Sequence, residues 1–447
     1  MKGPSTDMNC LIIAAGRGIR FFSQEDPKPL IRLLGLSLIE RVILAAHSAG
    51  LNAYTVVSGY KGERVREALD QLAFSRNLRI SHLINEDWEK ENGFSVLKAK
   101  ALLNENFVLL MADHIFDESV LLHLKNQPIG EDEVILAVDY NIHSNNFVDQ
   151  HDVTKVLVED DRIVDIGKDI KKYNAYDTGV FLCSPAIFPA IEESVHRGDG
   201  SLSGGIRVLA QTRKAKVVDI QDAFWIDVDD DVSLKKAEAQ LLSTLKKPSD
   251  GLISRYVNRP LSTRITKHLL KTTITPNSIS FVSFVLSMLG AMLFFFGGYI
   301  PLLIGATLAQ LASVIDGCDG EIARLKFQMT EFGGWFDAVL DRYADGFLLL
   351  GLTYHAHAPN PGFWIIAIGF LAILGAFMNS YTAEKYDRLM QRKLDPGQYY
   401  FRMGRDLRMF LIFLGGVMNQ PLTILALIAL FMNTENIRRM LALYKNA

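Results

Sequence analysis

Four aspartates stand inside a stretch apolar enough to be buried in a bilayer, and they constrain what the C-terminal half of this chain can become. The run DGCDGEIARLKFQMTEFGGWFDAVLD, Asp316 to Asp341, lies between long apolar segments. An ionised carboxylate at membrane depth costs about 3 kcal/mol even on a lenient insertion scale, so four unpaired ones would cancel the apolar gain of two helices. Helical spacing puts Asp316 and Asp319 on one face, and Asp337 and Asp341 on one face of the next helix. Two facing acid pairs supply the hard oxygen ligands that Mg²⁺, Mn²⁺ or Ca²⁺ takes, with room for two ions. A polar cluster or ion path between helices is the alternative, but it does not require the small residues Gly320, Ala323 and Gly333 in the same run.

At 447 residues, 49% of them hydrophobic, the chain calls for at least two domains. A net charge of −3 with no long basic run argues against a nucleic-acid partner. Cys10, Cys183 and Cys318 lack disulfide or zinc spacing, which fits reduced, intracellular thiols. The apolar run 10–15 is broken by Gly16 and Arg17, too soon for a signal peptide, so the first domain is expected to stay in the cytoplasm.

That domain, residues 1–245, opens with a buried strand at 9–15 ending in Ala14 and Ala15, followed by Gly16-Arg17-Gly18-Ile19-Arg20. Bare backbone at Gly16 and Gly18 suits phosphate oxygens, while Arg17, Arg20 and Lys28 bring positive charge to a developing oxyanion; a merely structural glycine turn is the alternative. A strand at 53–58, a helix at 63–72 and a strand at 107–111 continue an α/β, doubly wound pattern. Asp113 follows that last strand, where open sheets bind ligands, unless it only caps a turn. Ser95 reads as a substrate contact or as a helix N-cap. Asp177-Thr178-Gly179-Val180 reads as a turn before a strand. The alternating segment 224–229 sets Asp227 and Asp229 on one side of a strand, the alternative being that Asp229-Asp230-Asp231 is a solvated loop before a helix at 233–245.

Residues 246–251 form a polar linker. The stretch 252–270 carries Arg255, Arg259, Arg264, Lys267 and His268 among apolar residues, suiting either an amphipathic helix on an anionic membrane surface or a soluble connecting helix. Six transmembrane helices follow, at 276–300, 301–324, 335–355, 363–381, 407–418 and 422–432, the last two short. Lys385, Arg388, Arg392, Lys393, Arg402, Arg405 and Arg408 crowd one loop region and mark it as cytoplasmic. The chain is thus expected to be a multi-pass integral membrane protein whose N-terminal domain and both sites face the cytoplasm.

Asp316, Asp319, Gly320, Ala323, Arg324, Gly333, Asp337 and Asp341 satisfy D-x-x-D-G-x-x-A-R, eight residues, G-x-x-x-D-x-x-x-D without a gap, which resembles the CDP-alcohol phosphotransferase signature. The resemblance implies Asp316, Asp319 and Asp337 as metal ligands and Asp341 as ligand or general base. It also implies that Gly320, Ala323 and Arg324 hold cytidine diphosphate, and that homodimers form. Arg405 and Arg408 would clamp an acceptor phosphate, or else serve only as positive-inside anchors. The run LIIAAGRGIR with Pro27-Lys28-Pro29-Leu30 resembles the start of nucleotide-sugar-type nucleotidyltransferases. That implies a divalent metal, Mg²⁺ or Mn²⁺, at Asp113, Asp227 and Asp229, and substrate contacts at Ser95 and Gly179.

Together the halves resemble the family of fused inositol-1-phosphate cytidylyltransferases and di-inositol-phosphate-phosphate synthases. The resemblance implies CTP and inositol-1-phosphate as substrates and CDP-inositol as the shared intermediate. The alternative is a phospholipid synthase that uses a CDP-linked lipid donor beside a head-group-activating nucleotidyltransferase.

Overall fold

The computed structural model describes residues 8–18, 20–21, 26–143, 145, 147–150, 152–246, 250–390 and 404–445. Ile19, linker residues 247–249 and Arg392, Lys393 and Arg402 of the basic loop lie outside them. The chain divides into two compact units, Met1–Gln240 and Leu241–Ala447.

In the first unit, Asn9–Ala14 lies between the parallel strands Ala53–Ser58 and Phe107–Met111, with Arg79–Ile84 beyond them. Neighbours on both edges and cover on both faces explain its unbroken apolar sequence. The nine-stranded sheet is mixed: Ala175–Cys183 runs antiparallel to Phe107–Met111 and to Val134–Asp139. Ala215–Asp219 and the hairpin Lys155–Glu159/Arg162–Gly167 complete the far side. The parallel strands end together at Ala14, Ser58 and Met111, opening the crevice in which open sheets hold ligands. Helix Leu38–Ser48 starts where its sequence says it should, with Ser37 and Glu40 forming a reciprocal capping box.

Three expectations for this unit change. Ser95 is not an N-cap: the helix is Asn92–Leu97, Glu91 precedes it, and the buried Ser95 hydroxyl accepts from Asn85 Nδ2 at 3.0 Å. Asp177–Gly179 is not a turn before a strand but an irregularity within Ala175–Cys183. The strand expected at 224–229 stops at Asp227, because the Asp229 and Asp230 amides turn to donate to Ser233 Oγ, both at 3.0 Å, ahead of helix Asp231–Ser243.

The second unit is helical. Pro276–Phe294, Tyr299–Leu325, Glu331–His357, Phe363–Met390, Arg405–Val417 and Pro421–Lys445 follow a shorter helix, Arg259–Leu269. Among the described residues, Pro276–Phe294, Tyr299–Leu325 and Phe363–Ala383 are long and apolar enough to cross a membrane. Phe294, Leu302, Leu348, Leu352, Ile412 and Met432 form the buried core, while Phe281, Phe296, Ile300, Trp335, Phe363 and Phe370 lie exposed on the outside. An apolar exterior on this scale suits lipid better than water. Gly290 and Gly305 let two helices approach until an added Cβ on either would meet the other's carbonyl oxygen at under 3 Å.

The final helix is 25 residues long, not the short span expected at 422–432. The polar residues after Met432 satisfy one another: Glu435 accepts from Arg438 and Arg439, whose Nη1 donates to Asn379 O at 2.7 Å. Helix Arg259–Leu269 also differs from a simple amphipathic helix. Its inward face is polar, with Ser262 and Thr266 donating to the fully buried Glu321 at 2.5 and 2.7 Å. Apolar Leu252, Tyr256 and Leu261 face outward on or just before it.

Candidate active sites

The first unit gathers its site around Lys28, on the turn Lys28–Leu30. Its ammonium lies 2.5 Å from Asp113, contacts Asp229 directly and stands 3.7 Å from Asp227. Burial opposes that charge, but the three carboxylates outweigh it and hold the Lys28 pKa above its ordinary value. For Asp113, burial pulls upward, yet Lys28 and then His114 bring the net shift downward. Asp227 is pushed up to about 6, by burial first and by Asp113 and Asp229 beside it. Arg20 bridges Asp152 at 2.5 Å and Asp229 at 3.1 Å. Gly18 has φ +70°, and an added Cβ would meet that of Lys28 at 2.6 Å, so glycine there brings the loop against the lysine. Arg17 instead lies over the Tyr60 ring, 5.2 Å away.

His114 is the residue the sequence reading missed. It sits on the short strand His114–Phe116, directly opposite Asp227 in the antiparallel ladder with Trp225–Asp227. Its Nε2 is 3.6 Å from Asp227 and 3.9 Å from Asp113. Burial disfavours its charged form, but Asp227 and Asp113 raise its pKa overall. A histidine directly after a strand-end aspartate was the only signal available, and register was needed to give it meaning. Gly179 and Asp177 approach this ring, whereas Ser95 bonds instead to Asn85.

In the second unit the four motif acids converge as helical spacing predicts. Asp316 lies 2.9 Å and Asp341 2.6 Å from the same Arg405 Nη1. Ser280 donates to Asp319 at 2.5 Å and Ser283 to Asp316 at 3.2 Å. Arg405 and Arg408 are not surface anchors. Both point inward, and Arg408, 1% exposed, pairs at 2.6 Å with Asp345, which also meets Arg405 Nε at 3.3 Å. Asp345 was legible but unread: it continues the four-residue interval of Asp337 and Asp341. Arg324 Nε and Nη2 are buried with no hydrogen-bond partner.

Both clusters suit a divalent cation. Asp113, His114 and Asp227 offer one atom each within 4.8 Å of one another, as do Asp316, Asp319 and Asp337. One oxygen in each set, Asp227 Oδ1 and Asp337 Oδ1, is buried without a hydrogen-bond partner. Such an oxygen has lost its hydration and suits a cation, and the Lys28 ammonium already stands 3.7 Å from Asp227 Oδ1. The predicted acid that each set leaves out, Asp229 in the first unit and Asp341 in the second, is engaged by a basic side chain.

Residues 273–435 match the CDP-alcohol phosphatidyltransferase family, and residues 10–214 match the MobA-like NTP transferase domain. A bifunctional IPC transferase and DIPP synthase of Rubrobacter xylanophilus is 35% identical over 444 residues, covering 97% of this chain and 95% of that protein. One of the same description from Thermococcus kodakarensis is 32% identical over 441 residues, covering 97% and 96%. The solved inositol-1-phosphate CTP transferase of T. maritima is 25% identical, with a TM-score of 0.48, over 52% of this chain and 94% of that one.

Proposed function

Because the chain belongs to the bifunctional IPC transferase and DIPP synthase family, we propose that its two units catalyse consecutive reactions. In the first, a phosphate oxygen of inositol-1-phosphate attacks the α-phosphorus of CTP; CDP-inositol forms and pyrophosphate leaves. In the second, a hydroxyl of another inositol-1-phosphate attacks the β-phosphorus of CDP-inositol; di-inositol phosphate phosphate forms and CMP leaves. The observation that carries this reading is the presence of two separate clusters of ligating side chains, one per unit, each close enough together to hold a cation.

In the first unit, Lys28 and Arg20 stabilise charge building on the α-phosphate, and the burial of Lys28 strengthens its effect. Ala14 to Gly18 hold the nucleotide, with Ser95 and Gly179 on the alcohol-phosphate side. In the second unit, Asp341 takes the proton of the attacking hydroxyl while Arg405 orients its carboxylate. Gly320 and Ala323 admit the cytidine diphosphate, and the unpartnered buried nitrogens of Arg324 favour a phosphate contact there. A polar pocket lined by Asp341, Arg342, Ser380, Arg405 and Arg408 supports the acceptor-phosphate assignment of Arg405 and Arg408. A divalent ion, Mg²⁺ or Mn²⁺, at Asp113, Asp227 and Asp229, and two at Asp316, Asp319, Asp337 and Asp341, would neutralise the phosphate oxygens and leaving groups.

The same reading makes the chain a homodimeric, six-span protein of the lipid bilayer. Residues 246–251 are the linker, 252–270 the interfacial segment, and residues 1–245 lie on the cytoplasmic side with both sites. The exposed apolar belt supports the bilayer setting, and the basic residues of the sequence between 385 and 402 support the orientation. Asp113→Asn tests the division of labour: pyrophosphate release should be lost while CMP release from supplied CDP-inositol persists. Loss of both activities in the folded variant would overturn it.

A further inference from the structure

We propose that His114 is a direct ligand of the cation in the first unit, so that this site is an Asp–His–Asp centre rather than the all-carboxylate one its sequence suggests. The inference rests on the functional reading above and replaces Asp229, which Lys28 engages, with His114 as the third donor.

Four observations converge on the ring. His114 Nδ1 lies 2.7 Å from the Thr178 carbonyl oxygen, which can only accept, so that nitrogen carries a proton. In the neutral ring the lone pair is then on Nε2, which faces Asp227 and Asp113 at 3.6 and 3.9 Å. A backbone carbonyl on the far nitrogen is how ligating histidines are commonly oriented. Second, the carbonyl is presented by an irregularity in the strand. Gly179, with φ +73°, follows Thr178, and a Cβ at 179 would fall 2.3 Å from His114 Nδ1. Third, Trp225 stacks against the ring with centroids 6.2 Å apart and is itself fixed by donating to Asp139 at 2.8 Å. Fourth, Asp227 Oδ1, on the residue paired with His114 across the ladder, is buried and accepts no hydrogen bond.

An ordinary core histidine would not need both a glycine cleared for its ring and a second nitrogen aimed between two carboxylates. The neighbouring cation does not replace the ligand, because Lys28 as an ammonium has no lone pair to give. An imidazole donor shifts the site toward Mn²⁺ and Co²⁺ relative to Mg²⁺, which prefers oxygen alone. The second unit differs, since its trio Asp316, Asp319 and Asp337 has no nitrogen ligand.

The test is pulsed electron paramagnetic resonance on the full chain in detergent, loaded with Mn²⁺ and no nucleotide. The proposal predicts ¹⁴N hyperfine coupling to bound Mn²⁺ in the unsubstituted protein. Coupling should vanish in His114→Gln, with Mn²⁺ affinity at that site falling about 10- to 100-fold, the scale of a disturbed metal shell. It should persist in Asp337→Asn, which alters only the second unit. Mn²⁺ bound in an Asp113-dependent manner without ¹⁴N coupling would overturn the histidine ligand while leaving the functional reading intact. No Mn²⁺ binding sensitive to Asp113→Asn would remove the cation site itself, and the functional reading of the first unit with it. Because the decisive spectrum is that of the unsubstituted protein, a variant that fails to fold does not protect the proposal.

Discussion

The cation clusters of the two units place similar groups by different structural means, and the difference decides how much of each can be read from sequence. In the second unit, Asp316, Asp319, Asp337 and Asp341 reach one point because α-helical spacing repeats every three or four residues. In the first, Asp113, His114 and Asp227 meet because two three-residue strands pair in a particular register and a glycine opens the strand beside them. Helical periodicity is printed in the sequence; register between segments more than a hundred residues apart is not. A basic side chain is common to both: Lys28 stands among Asp113, Asp227 and Asp229, and Arg405 among Asp316, Asp341 and Asp345.

The sharpest way to break the comparison is to remove one acid from each cluster. Asp341→Asn should lower CMP release at least about 10³-fold, equivalent to roughly 4 kcal/mol of barrier, with pyrophosphate release unchanged within twofold. Asp113→Asn should give the mirror image. Measuring pyrophosphate from CTP and, separately, CMP from supplied CDP-inositol checks the pair, and parallel losses in those two assays would show the sites are not independent.

Next in size is Asp345→Asn. It leaves the buried Arg408 without its closest carboxylate, and breaking a buried pair from one side costs about 3–5 kcal/mol. The denaturation temperature of the helical unit in detergent should fall and CMP release with it. An unchanged melting profile would mean that the arginines find other partners.

A smaller effect is expected from Gly179→Ala. The added methyl group displaces the His114 ring, lowering pyrophosphate release about 10- to 100-fold, the scale for disturbing a group that orients a metal ligand, and leaving CMP release from supplied CDP-inositol alone. Activity equal to the parent would detach the glycine from the site.

The mildest probe is Asp177→Asn, read against pH. Burial is the main cause that lifts the Asp177 pKa from 3.8 to about 6, opposed by the Gly179 amide and His114. Between those values the folded state binds the proton more tightly than the unfolded state, so stability falls as pH rises through that window. The asparagine variant should therefore be more stable than the parent at pH 7, by on the order of 1 kcal/mol, with the advantage gone below about pH 4. Equal melting temperatures at both pH values would contradict this reading.

Legibility followed the same division. The first strand, the metal-type acids and the six helical segments all follow from composition and spacing. Asp345 and Glu321 were visible but were not assigned, because their importance comes from burial: both are fully buried, held by Arg408 in one case and by Ser262 and Thr266 in the other. The final helix was cut short at Met432 because isolated polar residues look like an end, whereas Glu435, Arg438 and Arg439 neutralise one another within the bundle. Gly179 looked like a turn residue because positive φ has the same sequence signature in a turn and in a strand irregularity.

The most direct test of two sites working in sequence is product analysis of the purified chain in detergent with labelled inositol-1-phosphate, CTP and Mg²⁺. Pyrophosphate, CMP and the labelled species are followed together. The predicted result is pyrophosphate release first, then CMP, with label passing through CDP-inositol into a water-soluble di-inositol product. Pyrophosphate without CMP, or label in a lipid, would contradict it.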